Sequence, residues 1–152
     1  MDMARKRRMM PNTIPTVLIA PCGMNCRLCR AFQRDKNTCP GCRADDSALP
    51  VSCARCRIRT CENLAAARAK YCFNCDLFPC QRVRHLDKRY RTRYGMSMID
   101  NLAQIKTHGV RDFVRAQKAR WTCPGCGALL CVHDPECPDC RYRRPDWANL
   151  DH

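Results

Sequence analysis

Aromatic side chains, histidine, acidic residues and long apolar runs are all scarce in this 152-residue chain. Phe, Trp and Tyr together make up 7% of it. Phe32, Tyr71, Tyr90, Tyr94, Trp121 and Trp147 are scattered, so no stacking platform for sequence-specific reading of bases is indicated. Histidine occurs only at His85, His108, His133 and His152, with no Ser/His/Asp order and no phosphate-cradling glycine loop. Nothing therefore assembles an active site, and the chain reads as a non-enzyme without a small-molecule substrate. The apolar run Val17 to Ala20 is too short for the core of a secretory signal. No stretch approaches the ~20 apolar residues of a membrane helix. These absences lead to the expectation of a cytoplasmic protein that avoids membranes, where thiols stay reduced and paired cysteines hold metal more often than they form disulfides. Acidic residues number 14 against 28 Lys and Arg, a formal net charge of +14. Such a field favours an anionic partner, nucleic acid or an acidic protein, although solubility alone is also served by net charge.

Cysteine is what the chain has in excess, with sixteen residues. Twelve fall into six C-x2-C pairs: Cys26/Cys29, Cys39/Cys42, Cys53/Cys56, Cys72/Cys75, Cys123/Cys126 and Cys137/Cys140. A C-x2-C turn aims two thiolates at one point about 2.3 Å from a shared zinc ion, and a second turn closes the tetrahedron with no position left for substrate. Six pairs predict about three closed, structural zinc sites. Three zinc ions on twelve thiolates would lower the net charge to about +8, still basic.

The clearest site is C-terminal. Cys123, Cys126, Cys137 and Cys140 stand in two C-P-x-C knuckles separated by a ten-residue loop that begins at Gly127, the arrangement of a zinc ribbon. Proline fixes φ after the first cysteine of each knuckle, and Gly127 permits the turn that frees backbone N–H groups to meet the thiolates. Cys131 and His133 lie inside the loop and are surplus to four ligands, so packing is their expected role. Towards the N-terminus, Cys26, Cys29, Cys39 and Cys42 make the simplest grouping. Cys22 adds a C-x3-C-x2-C start, the spacing with which radical S-adenosylmethionine enzymes hold a [4Fe-4S] cluster. Leu28 stands where that class has an aromatic residue, the chain is short for its barrel, and Cys39 and Cys42 follow closely, which together oppose it. An ordinary iron-sulfur cluster is the alternative to zinc here, since four thiolates serve either metal.

The middle of the chain carries an echo: Cys53-x2-Cys56-x4-Cys61 and Cys72-x2-Cys75-x4-Cys80 share one spacing, repeated at Cys123-x2-Cys126-x4-Cys131. The easiest site joins Cys53, Cys56, Cys72 and Cys75. Cys22, Cys61 and Cys80 are then left over, with His85 five residues beyond Cys80, as possible additional ligands.

Between the cysteines the pattern is helical. Glu62 to Tyr71 has the alanine content of a short helix, and Pro79 to Tyr94 places Val83, Leu86 and Tyr90 on one stripe. Ser97 with Asp100 resembles a capping box, and Ile99, Leu102 and Ile105 give an apolar face that ends at Gly109. A second helix from Val110 aligns Phe113, Val114, Gln117 and Trp121. The expected organisation is a basic flexible tail over 1–18 carrying Arg5, Lys6, Arg7 and Arg8, and a cysteine-rich metal-binding domain over 19–95. A helical hairpin over 96–120, a zinc ribbon over 121–145 and a tail over 146–152 complete it.

These motifs resemble the bacterial and archaeal family designated domain of unknown function 3795. The resemblance rests on CGMNCRLC (Cys22 to Cys29), CPGC (Cys39 to Cys42), CRIRTC (Cys56 to Cys61), YCFNCDLFPC (Tyr71 to Cys80) and the stretch from Ser97 to Gly127. It implies a small cysteine-rich protein expected to bind metal, with no established activity, and it implies that Cys22, Cys61 and Cys80 are more than stray thiols. The sequence thus predicts a small, α-rich, metal-stabilised fold: an irregular cysteine-rich zinc-binding unit, a helical hairpin and a C-terminal zinc ribbon. Its expected role is a non-catalytic interaction module for nucleic acid or an acidic protein. The alternative is an iron-sulfur electron carrier or redox sensor using the cysteines of 22–80.

Overall fold

The structure, a computed structural model, describes residues 12–150. Arg5 to Arg8 of the expected basic tail lie outside the described residues. Among those described, the chain is helical and irregular, with no strand and three isolated antiparallel bridges, Ile19 with Asn25, Thr122 with Leu129 and Glu136 with Arg143. Among the described residues, no helix is long and apolar enough to cross a membrane.

Three long helices form the frame: α4 (Gln81–Arg93), α5 (Met98–His108) and α6 (Val110–Trp121). Helix α5 packs against both of the others. It starts where the sequence predicts, because the Ser97 hydroxyl accepts a hydrogen bond from the Asp100 N–H at 3.1 Å. A second cap comes from α4. The buried Asp87 carboxylate accepts from the Ser97 hydroxyl at 2.5 Å and from the Ile99 N–H at 3.1 Å, so two of the unpaired donors of the first turn are met by two side chains. Gly109 alone separates α5 from α6. Met98, Leu102 and Ile105 of α5 and Phe113, Gln117 and Trp121 of α6 are buried, the stripes that the apolar period requires.

Three shorter helices carry the cysteine-rich half: α1 (Arg30–Gln33), α2 (Val51–Ala54) and α3 (Glu62–Ala66). Helix α3 stops well before Tyr71. The Ala69 N–H reaches back to the Leu64 carbonyl and the Arg68 N–H to that of Ala65, a Schellman ending in which Arg68 takes φ 50° where glycine is usual. This frees Tyr71 to turn into the core and lets the Cys72 N–H bond to the Pro21 carbonyl.

The units drawn in series along the sequence share one core. Ile19, Leu28, Val83, Met98, Leu102, Phe113 and Val132, drawn from both halves, are almost fully buried in a single cluster. The Val132 N–H bonds to the Leu28 carbonyl, and Gln33 reaches the Leu130 carbonyl. Gly23 sits at φ +89° with its Cα against α5; a Cβ there would come within 3.0 Å of Leu102 and of the Met98 carbonyl. Ile14 and Leu18, at the end of the segment expected as an N-terminal tail, are buried. The composition of 1–18 reads as polar and basic, yet two apolar residues spaced by four suffice to seat its end. At the start of the segment expected as a C-terminal tail, Asp146 pairs with Arg144, and Trp147 stacks on the same guanidinium at 5.1 Å.

Candidate metal centre

Two loops of the same shape follow α6. In the first, the Cys123 N–H bonds to the Ala128 carbonyl and the Gly127 N–H to the Cys123 carbonyl. In the second, the Cys137 N–H bonds to the Tyr142 carbonyl and the Arg141 N–H to the Cys137 carbonyl. Gly127 has φ 80° and Arg141 φ 65°, so one left-handed position recurs one residue after each second cysteine. The two loops face each other. The sulfurs of Cys123, Cys126, Cys137 and Cys140 all lie within 4.8 Å of one another, with Cys123 3.5 Å from Cys140 and Cys126 3.6 Å from Cys137. This group can hold a metal ion. Cys123 and Cys137 are buried while Cys126 and Cys140 are exposed, so the centre is anchored in the core on one side and open to solvent on the other.

Electrostatics at these sulfurs favour one thiolate and oppose several. Burial works against the Cys123 anion, but backbone N–H groups of Cys126 and Gly125 and the thiols of Cys140 and Cys137 outweigh it and bring that thiol below its usual range. The Gly125 N–H lies 3.3 Å from Cys123 Sγ. Burial pushes Cys137 up to about 12. A dication between the four sulfurs reverses that ordering, because a coordinated thiol is deprotonated by the ion's own charge.

The eleven N-terminal cysteines are also drawn together, more loosely. All sixteen cysteines are free thiols, with no disulfide between any two. Cys26 to Leu28 and Cys72 to Asn74 form matching 3-10 turns in which the N–H of the second cysteine, Cys29 or Cys75, bonds to the carbonyl of the first. Cys29, Cys61 and Cys80 each stand at the N-cap of a helix, α1, α3 and α4. Within the first expected grouping, Cys42 is hydrogen-bonded to Cys26, which with burial drives its thiol far above the usual range, against the pull of Arg59 and Arg43. Those two arginines are fixed by backbone carbonyls, Arg43 by Ile19 and Lys70 and Arg59 by Cys42 and Ala44. Cys29 has Cys42 and Cys53 as neighbours. Burial raises the thiol of Cys39, the fourth member, to about 11, with Cys53 and Cys42 nearby. Cys22 is buried in the core, and its neighbours are Cys42, Cys72 and Cys56. Among the described residues, the C-terminal quartet alone brings three or more such ligand atoms within 4.8 Å of one another. His85 is on the exposed side of α4, lining a shallow cleft with Cys56, Arg57 and Arg89.

The surplus residues of the C-terminal loop pack inward. Cys131 is buried, and His133 Nδ1 accepts from the Arg30 N–H at 3.2 Å, which leaves the ring proton on Nε2 for the Tyr90 hydroxyl oxygen at 2.9 Å. Burial and the charge of Arg30 lower His133 to about 4, so the ring is neutral. One residue that gave no signal in the sequence ties the centre to the frame. Arg144 is buried; its guanidinium donates to the carbonyls of Val132 at 2.8 Å and Tyr94 at 2.7 Å, pairs with Asp146, and stacks on Trp121 at 4.8 Å.

With this geometry in place, the comparison with known families is specific to one half of the chain. Residues 18–85 match the family described as a protein of unknown function (DUF3795). This segment belongs to the DUF3795 family. The match takes in the eleven N-terminal cysteines and the start of α4. It ends before α5, α6 and the C-terminal knuckles, which the motif resemblance had included. No curated protein and no solved structure matches the chain. The tightest cluster of cysteine sulfurs among the described residues lies outside the matched segment.

Proposed function

We propose that this chain is a non-catalytic, metal-stabilised binding module whose C-terminal knuckles form a zinc ribbon. One observation carries the reading: four cysteine sulfurs converge within 4.8 Å in two matching loops. Zinc–sulfur bonds of about 2.3 Å in a tetrahedron put the sulfurs about 3.8 Å apart, close to the 3.5 and 3.6 Å found for two of the pairs. The donor set is four soft thiolates, which leaves no coordination position for a substrate and suits a structural zinc ion. The ion would fasten the second loop to the first, and through Arg144 and the α6 junction to the three-helix frame. Helices α5 and α6 act as a hairpin that positions the ribbon.

The partner is a polyanion. Helix α4 exposes Arg82, Arg84, Lys88, Arg89, Arg91 and Arg93, and its one acidic residue, Asp87, is buried. A solvated run of cations at this density fits a phosphate backbone better than a small ligand, and the scatter of aromatics argues for backbone contact without base stacking. The experiment is a fluorescence-anisotropy titration of labelled duplex DNA and single-stranded RNA across a salt series. If four cations engage phosphates, log K falls against log salt with a slope of about −3.6 for duplex DNA. Replacing Arg84, Lys88 and Arg91 by Glu abolishes the binding. No binding to either nucleic acid at low salt would sink this partner and leave an acidic protein. Absorbance near 400 nm with iron and sulfide in protein purified without oxygen would replace zinc by an iron-sulfur centre in the DUF3795 segment.

A further inference from the structure

The echo of C-x2-C-x4-C in the middle of the chain resolves into an unequal pair. Cys61, Cys72, Cys75 and Cys80 line one cavity of about 20 Å³, together with Leu64, Phe78 and Val83. That volume has room for one body the size of an ion or a water molecule. Cys72 and Cys75 enter it from a single 3-10 turn, Cys80 from the N-cap of the thirteen-residue α4, and Cys61 from the N-cap of α3. Arg82 is the one charged residue in the lining and cannot act as a ligand; no carboxylate or imidazole shares the space. Neither Cys53 nor Cys56 lines this cavity; Cys56 lines the adjoining cleft with His85 and Leu86.

We propose that Cys61, Cys72, Cys75 and Cys80 form a second metal site, for one thiophilic divalent ion of the zinc class. The grouping of Cys53 and Cys56 with Cys72 and Cys75, the simplest by spacing, is replaced by one in which each second-echo cysteine is a ligand and the first echo supplies only its last member. Cys72 is buried and shares the cavity with the thiols of Cys61, Cys75 and Cys80, and the four become a ligand set once a dication sits among them. The sulfurs here are wider apart than those of the ribbon, so the ion draws them inward as the thiol protons leave for solvent. None of these ligands belongs to the ribbon, and the site stands or falls apart from it.

The test uses the zinc-loaded full chain. Chelator is raised in steps, each sample is pulsed with an alkylating reagent, and modification of every cysteine is read by peptide mass spectrometry. Cys61, Cys72, Cys75 and Cys80 should be protected at first and become reactive together in one step. Release of Cys72 and Cys75 in step with Cys53 and Cys56, with Cys61 and Cys80 reactive throughout, overturns the assignment. The ribbon cysteines are followed in the same digest. Their failure to be protected, with the other four still protected, would remove the ribbon and leave this site standing. A cobalt titration of the metal-free chain supplies a second reading: C61S/C80S should take up one equivalent fewer than the unaltered protein, and equal uptake refutes the site.

Discussion

Replacing Asp87 by Ala should destabilise the zinc-loaded protein by about 3 kcal/mol, although Asp87 belongs to α4 and not to the ribbon. Its carboxylate, on a residue 6% exposed, accepts from the Ser97 hydroxyl, the Ile99 N–H and Arg91 Nε. Hydrogen bonds to a charged group contribute about 1.5–3 kcal/mol each, and a carboxylate at a helix N-terminus adds about 0.3–1 kcal/mol. These terms overlap, because the Arg91 contact is long at 3.3 Å and half exposed, and Ser97 can turn to water when the acid is gone. Asn at 87 keeps one acceptor for α5 and should cost about half as much. The control is Asp100→Ala: Asp100 is exposed in the same turn and should lose no more than about 0.5 kcal/mol. Burial raises the Asp87 pKa, but Ser97, Ile99 and Arg91 together hold it below the ordinary carboxylate value. Its contribution is therefore complete above the unfolded-chain value of about 3.9 and is lost as pH falls through the folded value. Between pH 6 and 8 the deficit of the Ala variant should be constant. Melting at fixed zinc excess reads it as a drop of about 6–12 °C. A drop no larger than that of Asp100→Ala would refute the double-cap reading of α5.

Further expectations follow from single observations. Gly127 and Arg141 hold the same left-handed position in the two knuckles, and nothing lies within 4 Å of a Cβ at Gly127. Gly127→Ala should therefore cost about 1 kcal/mol from backbone alone, and Arg141→Gly should stabilise by up to about 1 kcal/mol, both read by melting at fixed zinc. His133 is held neutral at a value lowered to about 4. The unfolded chain then binds the extra proton first, so stability falls as pH drops from about 6.5 towards 4, and the His133 ring should show no titration by NMR between pH 6 and 8. Arg144→Lys removes the planar fork that spans Val132, Tyr94 and Asp146, and should cost about 2–4 kcal/mol and shift tryptophan emission to the red, since Trp121 and Trp147 flank the guanidinium.

The parts of this fold that the sequence discloses are those set by local rules. Ser97, Asp100 and the 3.6-residue period place α5 within a residue, and the spacing of the last four paired cysteines picks out the sulfurs that converge. Long-range choices leave no such mark. A C-x2-C turn states that two thiols point together, but not which other turn they meet. Cys39 lies against Cys53, and Cys61 shares a cavity with Cys72, although intervals along the chain favour other partners. By sequence Asp87 is one residue of a charged helix and Arg144 one of several arginines at the end of the ribbon segment, and only tertiary packing turns them into a cap and a clamp. Helix α3 is shorter than its alanines suggest because Arg68 accepts a left-handed ending that puts Tyr71 in the core.

The central claim is that the C-terminal knuckles hold a zinc ion on which the fold depends. Structural zinc on four thiolates is worth about 10–16 kcal/mol in small metal-folded domains, enough to dominate the stability of a chain this size. Elemental analysis of the unaltered protein beside Cys140→Ser, an exposed ligand whose loss removes no core volume, tests it most directly. The variant should hold one zinc fewer per chain and melt at a lower temperature that added zinc does not restore. Equal zinc in the two proteins, or full thermal stability in a protein stripped of metal, would contradict it.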